Sequence, residues 1–155
     1  MSSYKDFISL EVTGIEEALT KVGPAFVENI KASFTDARTL QEIGTTLMAS
    51  ATKTIDAGGR PAPYKPLAAS TIARRSKEGK GSTKPLVHLG TMRQSLDYEV
   101  QGGTLYLTSV DYLKYHQFEE KRTKARFPAR PVWGVQEEDQ ADIRDAIVAG
   151  IKRNL

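Results

Sequence analysis

The chain holds two histidines and no cysteine, so few side chains are available for nucleophilic or metal chemistry. His116-Gln117-Phe118-Glu119-Glu120 superficially matches a metal-binding helix, but the second histidine is missing. One histidine with one carboxylate is a weak zinc set, and a hydrogen-bonded structural histidine is the simpler reading. Ser70, Ser95 and Ser109 stand in no Gly-x-Ser-x-Gly elbow, so a serine hydrolase lacks local support. Gly58-Gly59-Arg60-Pro61 lacks the Gly-Lys-Ser/Thr ending of a phosphate loop. Gly79-Lys80-Gly81-Ser82-Thr83-Lys84 lacks that loop's first glycine, and no apolar strand leads into it. Without cysteine, a disulfide scaffold, a Cys-ligated zinc, an iron–sulfur centre and a thiol nucleophile are excluded. The expectation is a protein that is not an enzyme and needs no metal or cofactor.

What the sequence does offer is basic side chains. Of 155 residues, 22 are Lys or Arg and 19 are Asp or Glu, a net charge of +3. The distribution is uneven: residues 60–134 hold 14 basic and 6 acidic residues, while the flanks hold 8 basic and 13 acidic. The excess gathers in Arg74-Arg75-Ser76-Lys77-Glu78-Gly79-Lys80 and Lys121-Arg122-Thr123-Lys124-Ala125-Arg126. A basic middle between acidic ends suits DNA, or pairing with the acidic face of another copy; each stretch reads equally as a solvated loop.

These side chains need a scaffold. At 39% apolar and 26% charged, the composition fits one ordinary domain, neither membrane-embedded nor disordered. No apolar run approaches the roughly 20 residues of a membrane helix, and Met1–Leu10 lacks a signal peptide's layout. A protein without a membrane partner, acting in the cell that makes it or in a particle assembled there, is expected. Residues 1–13, with alternating Ile8, Leu10 and Val12, read as a strand or extended arm. Thr13-x-x-Glu16 and Thr39-x-x-Glu42 read as capping boxes. After them run apolar stripes at Ile15, Leu19, Val22, Phe26, Ile30, Phe34 and at Leu40, Ile43, Leu47, Ala51, Ile55. Gly23-Pro24 kinks or divides the first helix, and Gly58-Gly59 ends the second.

Leu67 to Arg75 reads as a short helix. Ser95–Val100 and Thr104–Ser109, joined by Gln101-Gly102-Gly103, read as a hairpin. Val110 to Phe118 reads as an aromatic-rich helical turn, and Gln136 to Leu155 as a helix with Ile143, Ile147 and Ile151 on one face. Its acidic start and basic end complement the helix dipole. Segments 76–85 and 119–131 read as mobile basic loops. The expected fold class is α+β: one domain over 1–155, with N-terminal amphipathic helices on a small antiparallel sheet, a C-terminal helix and long basic loops.

Near the end, Pro128-Ala129-Arg130-Pro131 fixes an extended backbone, because each proline locks φ and the residue before it avoids helix. Such a strap either presents the planar fork of Arg130 to a neighbour's carboxylate or pairs it within its own subunit. His116 and Gln117, beside Tyr112, Tyr115 and Phe118, can knit the strap to the hairpin. Trp133 suits either a core anchor for the last helix or an interface hot spot.

The ordered blocks Gly59-Arg60-Pro61, Lys65-Pro66-Leu67, Ser70-Thr71-Ile72, Arg74-Arg75, Lys84-Pro85-Leu86, Leu89 to Leu96, Tyr115-His116-Gln117-Phe118 and Phe127 to Gly134 resemble the phage virion morphogenesis family. This family comprises tail-completion or head–tail joining proteins of Mu-like phages and prophages. The resemblance runs from about Leu40 to the C terminus. Glu119 replaces the usual glycine after His-Gln-Phe, Leu89 a threonine, Val132-Trp133 a Phe-Leu pair, and Tyr64 a common tryptophan.

The resemblance implies a structural protein of the virion neck or tail end, present in the host cytoplasm during assembly. It implies self-association, expected as a ring, and docking onto tail tube, terminator or head–tail connector proteins, with non-specific contact to packaged DNA open. Candidate interface residues are Arg60, Arg74, Arg75, Lys77, Lys80, Lys121, Arg122, Lys124, Arg126, Arg130 and Trp133. His116, Gln117, Phe118, Pro128 and Pro131 are candidate structural residues. The rival reading is a nucleic-acid-binding module using the basic loops 74–84 and 121–130.

Overall fold

The computed structural model describes residues 5–6, 24–79, 82–117, 120–122 and 125–155. The first capping box, the alternating 8–13 segment and the apolar stripe before Gly23 lie outside these residues. Helix α1, Pro24–Thr35, starts on the proline, where the missing N–H costs nothing. Helix α2, Ala37–Ala57, carries the second apolar stripe. Its Ile43, Leu47, Ala51 and Ile55 are all buried.

The start of α2 differs from the expected capping box. Asp36 is the cap, and its carboxylate accepts from the Thr39 backbone N–H at 3.0 Å and the Thr39 hydroxyl at 2.9 Å. An aspartate three residues upstream outcompetes Thr39 because its ionised side chain is the stronger acceptor. At the far end Gly58 takes the left-handed backbone, φ 78°. Gly58 N–H then bonds Ile55 O and Gly59 N–H bonds Thr54 O, satisfying the last carbonyls.

Helix α3 is Ala69–Lys77 and the single turn α4 is Thr91–Gln94. Strands β2, Asp97–Gln101, and β3, Thr104–Thr108, form the expected hairpin. Gly102 and Gly103, at φ 58° and 75°, supply the turn. Strand β1, Lys5–Asp6, pairs antiparallel with β3, giving sheet order β1-β3-β2. A 3₁₀ turn at Asp111–Leu113 leads into α5, Lys114–Gln117. The last helix, α6, is Asp139–Asn154.

The second basic segment departs from the expected irregular loop. Within it β4, Glu120–Arg122, pairs antiparallel with β5, Ala125–Phe127. This is a pairing that apolar periodicity does not signal, because Glu120-Lys121-Arg122 holds no apolar residue to alternate.

Helix α2 is the spine: α6 and α1 pack on it and on each other, and the β2–β3 hairpin lies across another of its faces. The core joins Ile43, Leu47 and Ile55 to Leu96, Leu107, Leu113, Val132, Trp133 and Ile143. The fold is therefore α+β, helices on a small antiparallel sheet, closed by a C-terminal helix.

Candidate functional site

The blocks that stand out in the sequence converge on the strap, residues 128–134. Gln117, at the end of α5, takes the strap as a neighbouring strand would. Its Oε1 accepts from Val132 N–H at 3.0 Å and Trp133 N–H at 3.1 Å, and its Nε2 donates to Trp133 O at 2.6 Å. Arg130 N–H donates to His116 O at 2.6 Å. The Tyr64 hydroxyl donates to Pro131 O at 2.5 Å. Burial holds the Tyr64 phenol protonated, with its pKa raised to about 12. Val132 and Trp133 thereby sit in the core at 2% and 4% exposure.

Arg60 turns back onto α2 and the start of α6. Its Nε donates to Thr54 Oγ1 at 3.2 Å, and Nη2 donates to Ser50 O at 2.9 Å and Ser50 Oγ at 2.7 Å. Nη1 pairs with Glu138. The Ser50 hydroxyl donates to Asp139 Oδ2 at 2.5 Å, and the same oxygen accepts from Gln136 N–H at 2.8 Å. Ser50 and Asp139 are buried, and these bonds satisfy the Ser50 hydroxyl and the shared Asp139 oxygen away from water. Sequence reading assigned Asp139 only to the helix dipole and gave Ser50 no role. Small polar residues inside an apolar helical stripe, such as Ser50 and Thr54, are the signal that a buried polar layer crosses it.

Beside the strap lies a half-open pocket of about 210 Å³, lined by Arg75, His88, Leu89, Tyr112, His116 and Arg130 among others. Arg75, on α3, is 9% exposed, and its Nη1 donates to the carbonyls of Ser82 at 3.1 Å, Lys84 at 3.1 Å and Val87 at 3.0 Å. It thus pins the 82–87 loop, in which Leu86 holds a left-handed backbone at φ 63°, a conformation that costs a non-glycine residue roughly 1 kcal/mol. Arg130, also 9% exposed, donates from Nη2 to Lys65 O at 3.0 Å. Both guanidinium Nε atoms and His116 Nδ1 are buried without a hydrogen-bond partner among the described residues. Burial lowers the pKa of Arg130, and the Arg75 charge adds to this. Burial first, then the Arg130 charge, lowers that of His116, so the imidazole is neutral at pH 7.

The remaining candidates lie elsewhere. Arg74 and Lys77 are exposed on α3, with Arg74 Nε 3.9 Å from Glu78. Lys121 and Arg122 fall on β4 and Arg126 on β5. Lys80, Lys124 and Phe118 lie outside the described residues. Pro128 and Pro131 bracket Arg130, which the strap turns inward. Trp133 is in the core. Two exposed residues that the sequence reading named but gave no interface role, Leu89 at 62% and Tyr112 at 43%, line the pocket as well. Among the described residues no cluster of His, Asp and Glu is arranged to hold a metal ion. Nor is any helix among them long and apolar enough to cross a membrane.

No curated protein and no solved structure matches the chain. The sequence profile of the phage virion morphogenesis family matches residues 10–152, well beyond the start near Leu40 inferred from the motif blocks. The blocks fix the strap, the 82–87 loop and the end of α2, and with that match they place the chain in the phage virion morphogenesis family, a family of virion assembly proteins.

Proposed function

We propose that this phage assembly protein completes the tail end or neck for head–tail joining, associating with copies of itself in a ring and docking onto tail and connector proteins. The observation that carries the reading is that exposed charges of opposite sign stand on separate elements. Arg74 and Lys77 are exposed on α3, whereas Glu137, Glu138, Asp142 and Asp145 are exposed around the start of α6. Between them in the sequence, the β4–β5 ribbon adds Lys121, Arg122 and Arg126. Opposite charges carried on separate elements favour head-to-tail contacts, and such heterologous contacts close into rings when the rotation permits. A DNA-binding role has less support, because Arg75 and Arg130 of the basic set are turned inward.

The test is particle assembly with the gene disrupted. Unjoined heads and tails, restored by supplying the protein, are expected; normally joined particles in its absence overturn the reading. In solution, the double change Arg74→Glu with Lys77→Glu lowers self-association measured by sedimentation while leaving the far-UV circular dichroism unchanged.

A further inference from the structure

Among the described residues, the lining of the pocket beside the strap holds two buried cations and no carboxylate. A guanidinium has five N–H donors, and carbonyl partners satisfy donors without neutralising the charge. All the hydrogen bonds of Arg75 among the described residues run through Nη1. Among the described residues its Nε/Nη2 edge has no hydrogen-bond partner, and Nε is buried. That edge presents two parallel N–H groups, the arrangement a carboxylate matches with both oxygens. Arg130 lines the same pocket with its own Nε unpartnered. Glu78, which lies 3.5 Å from His88 of the lining and 3.9 Å from Arg74, forms no described ion pair with either buried arginine.

We propose that this pocket is a carboxylate-binding site, with the Nε/Nη2 edge of Arg75 as the bidentate receptor and Arg130 as the second cation, and that it receives an acidic side chain from a second copy of this chain. The docking half rests on the self-association proposed above. The walls suit a side chain rather than a nucleotide: exposed Leu89 and Tyr112 flank the opening and Leu67, Leu86 and Met92 line the interior. They offer apolar surface to the methylene stem of a glutamate, which a hydrated phosphodiester lacks. Glu137 has the matching character. It is exposed, and Val135 two residues before it is 45% exposed, so an apolar contact stands beside a carboxylate as Leu89 stands beside Arg75.

The test follows the arginine Nε–H signals of the ¹⁵N-labelled protein during titration with sodium acetate. Sodium chloride at equal ionic strength and inorganic phosphate are run in parallel. Acetate is expected to shift the Arg75 and Arg130 signals while chloride leaves them in place. Arg75→Gln removes the response and Arg74→Gln, outside the pocket, keeps it; should Arg75→Gln fail to fold, the acetate-against-chloride comparison on the unaltered chain decides. Signals that ignore acetate, move equally with chloride, or move with phosphate alone overturn the site.

The docking half is read by sedimentation. Leu89→Glu places a carboxylate of the chain's own at the rim, and Glu137→Gln removes the incoming one. Each is expected to raise the self-dissociation constant about tenfold, and Leu89→Gln, which removes the apolar contact without adding a charge, to raise it less than Leu89→Glu does. If acetate binds but both variants associate normally, the site stands as a receptor for free carboxylates, and second-copy docking falls while self-association survives. If the unaltered protein stays monomeric at all concentrations, docking and self-association fall together, and the acetate titration still decides the pocket.

Discussion

Gln117 holds the backbone of Trp133 on both sides of its Cα, accepting from its N–H at 3.1 Å and donating to its C=O at 2.6 Å. One primary amide thereby replaces the strand that the strap would otherwise need. A carboxylate cannot do this, since it has no proton to donate, and a hydroxyl cannot span both groups. Gln117→Ala removes three hydrogen bonds, counting Val132 N–H, and leaves part-buried backbone groups unpaired, an expected loss of about 2–4 kcal/mol. Urea unfolding followed by Trp133 fluorescence measures it.

Gln117→Glu gives a sharper result. The two amide donors keep their acceptor, but an ionised oxygen then faces the Trp133 carbonyl, so the fold favours the protonated acid and raises its pKa. The stabilising form is fully present below the unfolded Glu pKa of about 4.3 and is lost as pH rises through the folded value. The stability gap between Gln117→Glu and the unaltered protein is therefore expected to narrow on acidification from pH 7. Urea midpoints across that range check it; a gap independent of pH counts against the donor role of Nε2.

Arg60 ties two helices through one planar group: Thr54 and Ser50 on α2, and Glu138 at the start of α6. Lysine keeps the charge but has a single ammonium that cannot reach all four acceptors. Arg60→Lys is expected to cost about 2 kcal/mol, most of it from buried Ser50 and Thr54 losing a partner. Glu138→Gln is expected to cost less than about 1 kcal/mol, because Glu138 is 57% exposed and water screens the pair. Denaturant titration of the two variants orders them; a larger loss from Glu138→Gln than from Arg60→Lys contradicts this account.

What could be read from the sequence follows the range of the interactions involved. The α2 stripe, the Gly102-Gly103 hairpin and the proline start of α1 were legible, because apolar spacing, positive φ and a missing N–H are local properties. The N-cap was misplaced: Thr39-x-x-Glu42 has the letters of a capping box, and only the neighbouring Asp36 reveals the stronger acceptor. The β4–β5 ribbon carries no apolar alternation and was invisible. Arg130 illustrates the site. Its prolines announced a rigid extended strap, but which way the guanidinium faces depends on Lys65 and His116, 65 and 14 residues earlier in the chain. The pocket joins Arg75, Leu89, Tyr112 and His116 from separate elements, so no spacing rule finds it.

Acid exposes a different linkage. Asp36 accepts from Arg153 Nη2 at 3.0 Å as well as from Thr39, joining the first turn of α2 to the last turn of α6. The Arg153 hydrogen bond foremost, then those from the Thr39 N–H and hydroxyl, hold the Asp36 pKa below 3.8. Asp56 is lowered likewise by its pair with Arg93. A depressed carboxyl contributes stability that is present above its unfolded pKa and is lost as pH falls through the folded one. Stability is therefore expected to decline below about pH 4, less steeply in Asp36→Asn and least in the Asp36→Asn, Asp56→Asn pair. Thermal midpoints measured from neutral pH downward test the order; equal slopes in all three proteins refute it.

Gly150 sets the distance between α6 and α2. A Cβ at this position meets the Thr39 hydroxyl, which is already engaged by Asp36 and Arg153, and lies 3.3 Å from Ser33 O on α1. The obstacle includes backbone of α1, and buried Thr39 is fixed by its two partners, so neither yields as a free side-chain end would. Alanine is normally the better helix former by about 1 kcal/mol. Here the overpacking, of order 1–3 kcal/mol, outweighs that gain, and Gly150→Ala is expected to destabilise. Its effect is also expected to be coupled to Thr39: in Thr39→Ser the methyl group is gone and the hydroxyl has room to turn, so adding Gly150→Ala costs less there than in the unaltered chain. A double-mutant cycle by urea unfolding reads the coupling, and strict additivity of the two changes would show that the helices are not in contact through this pair.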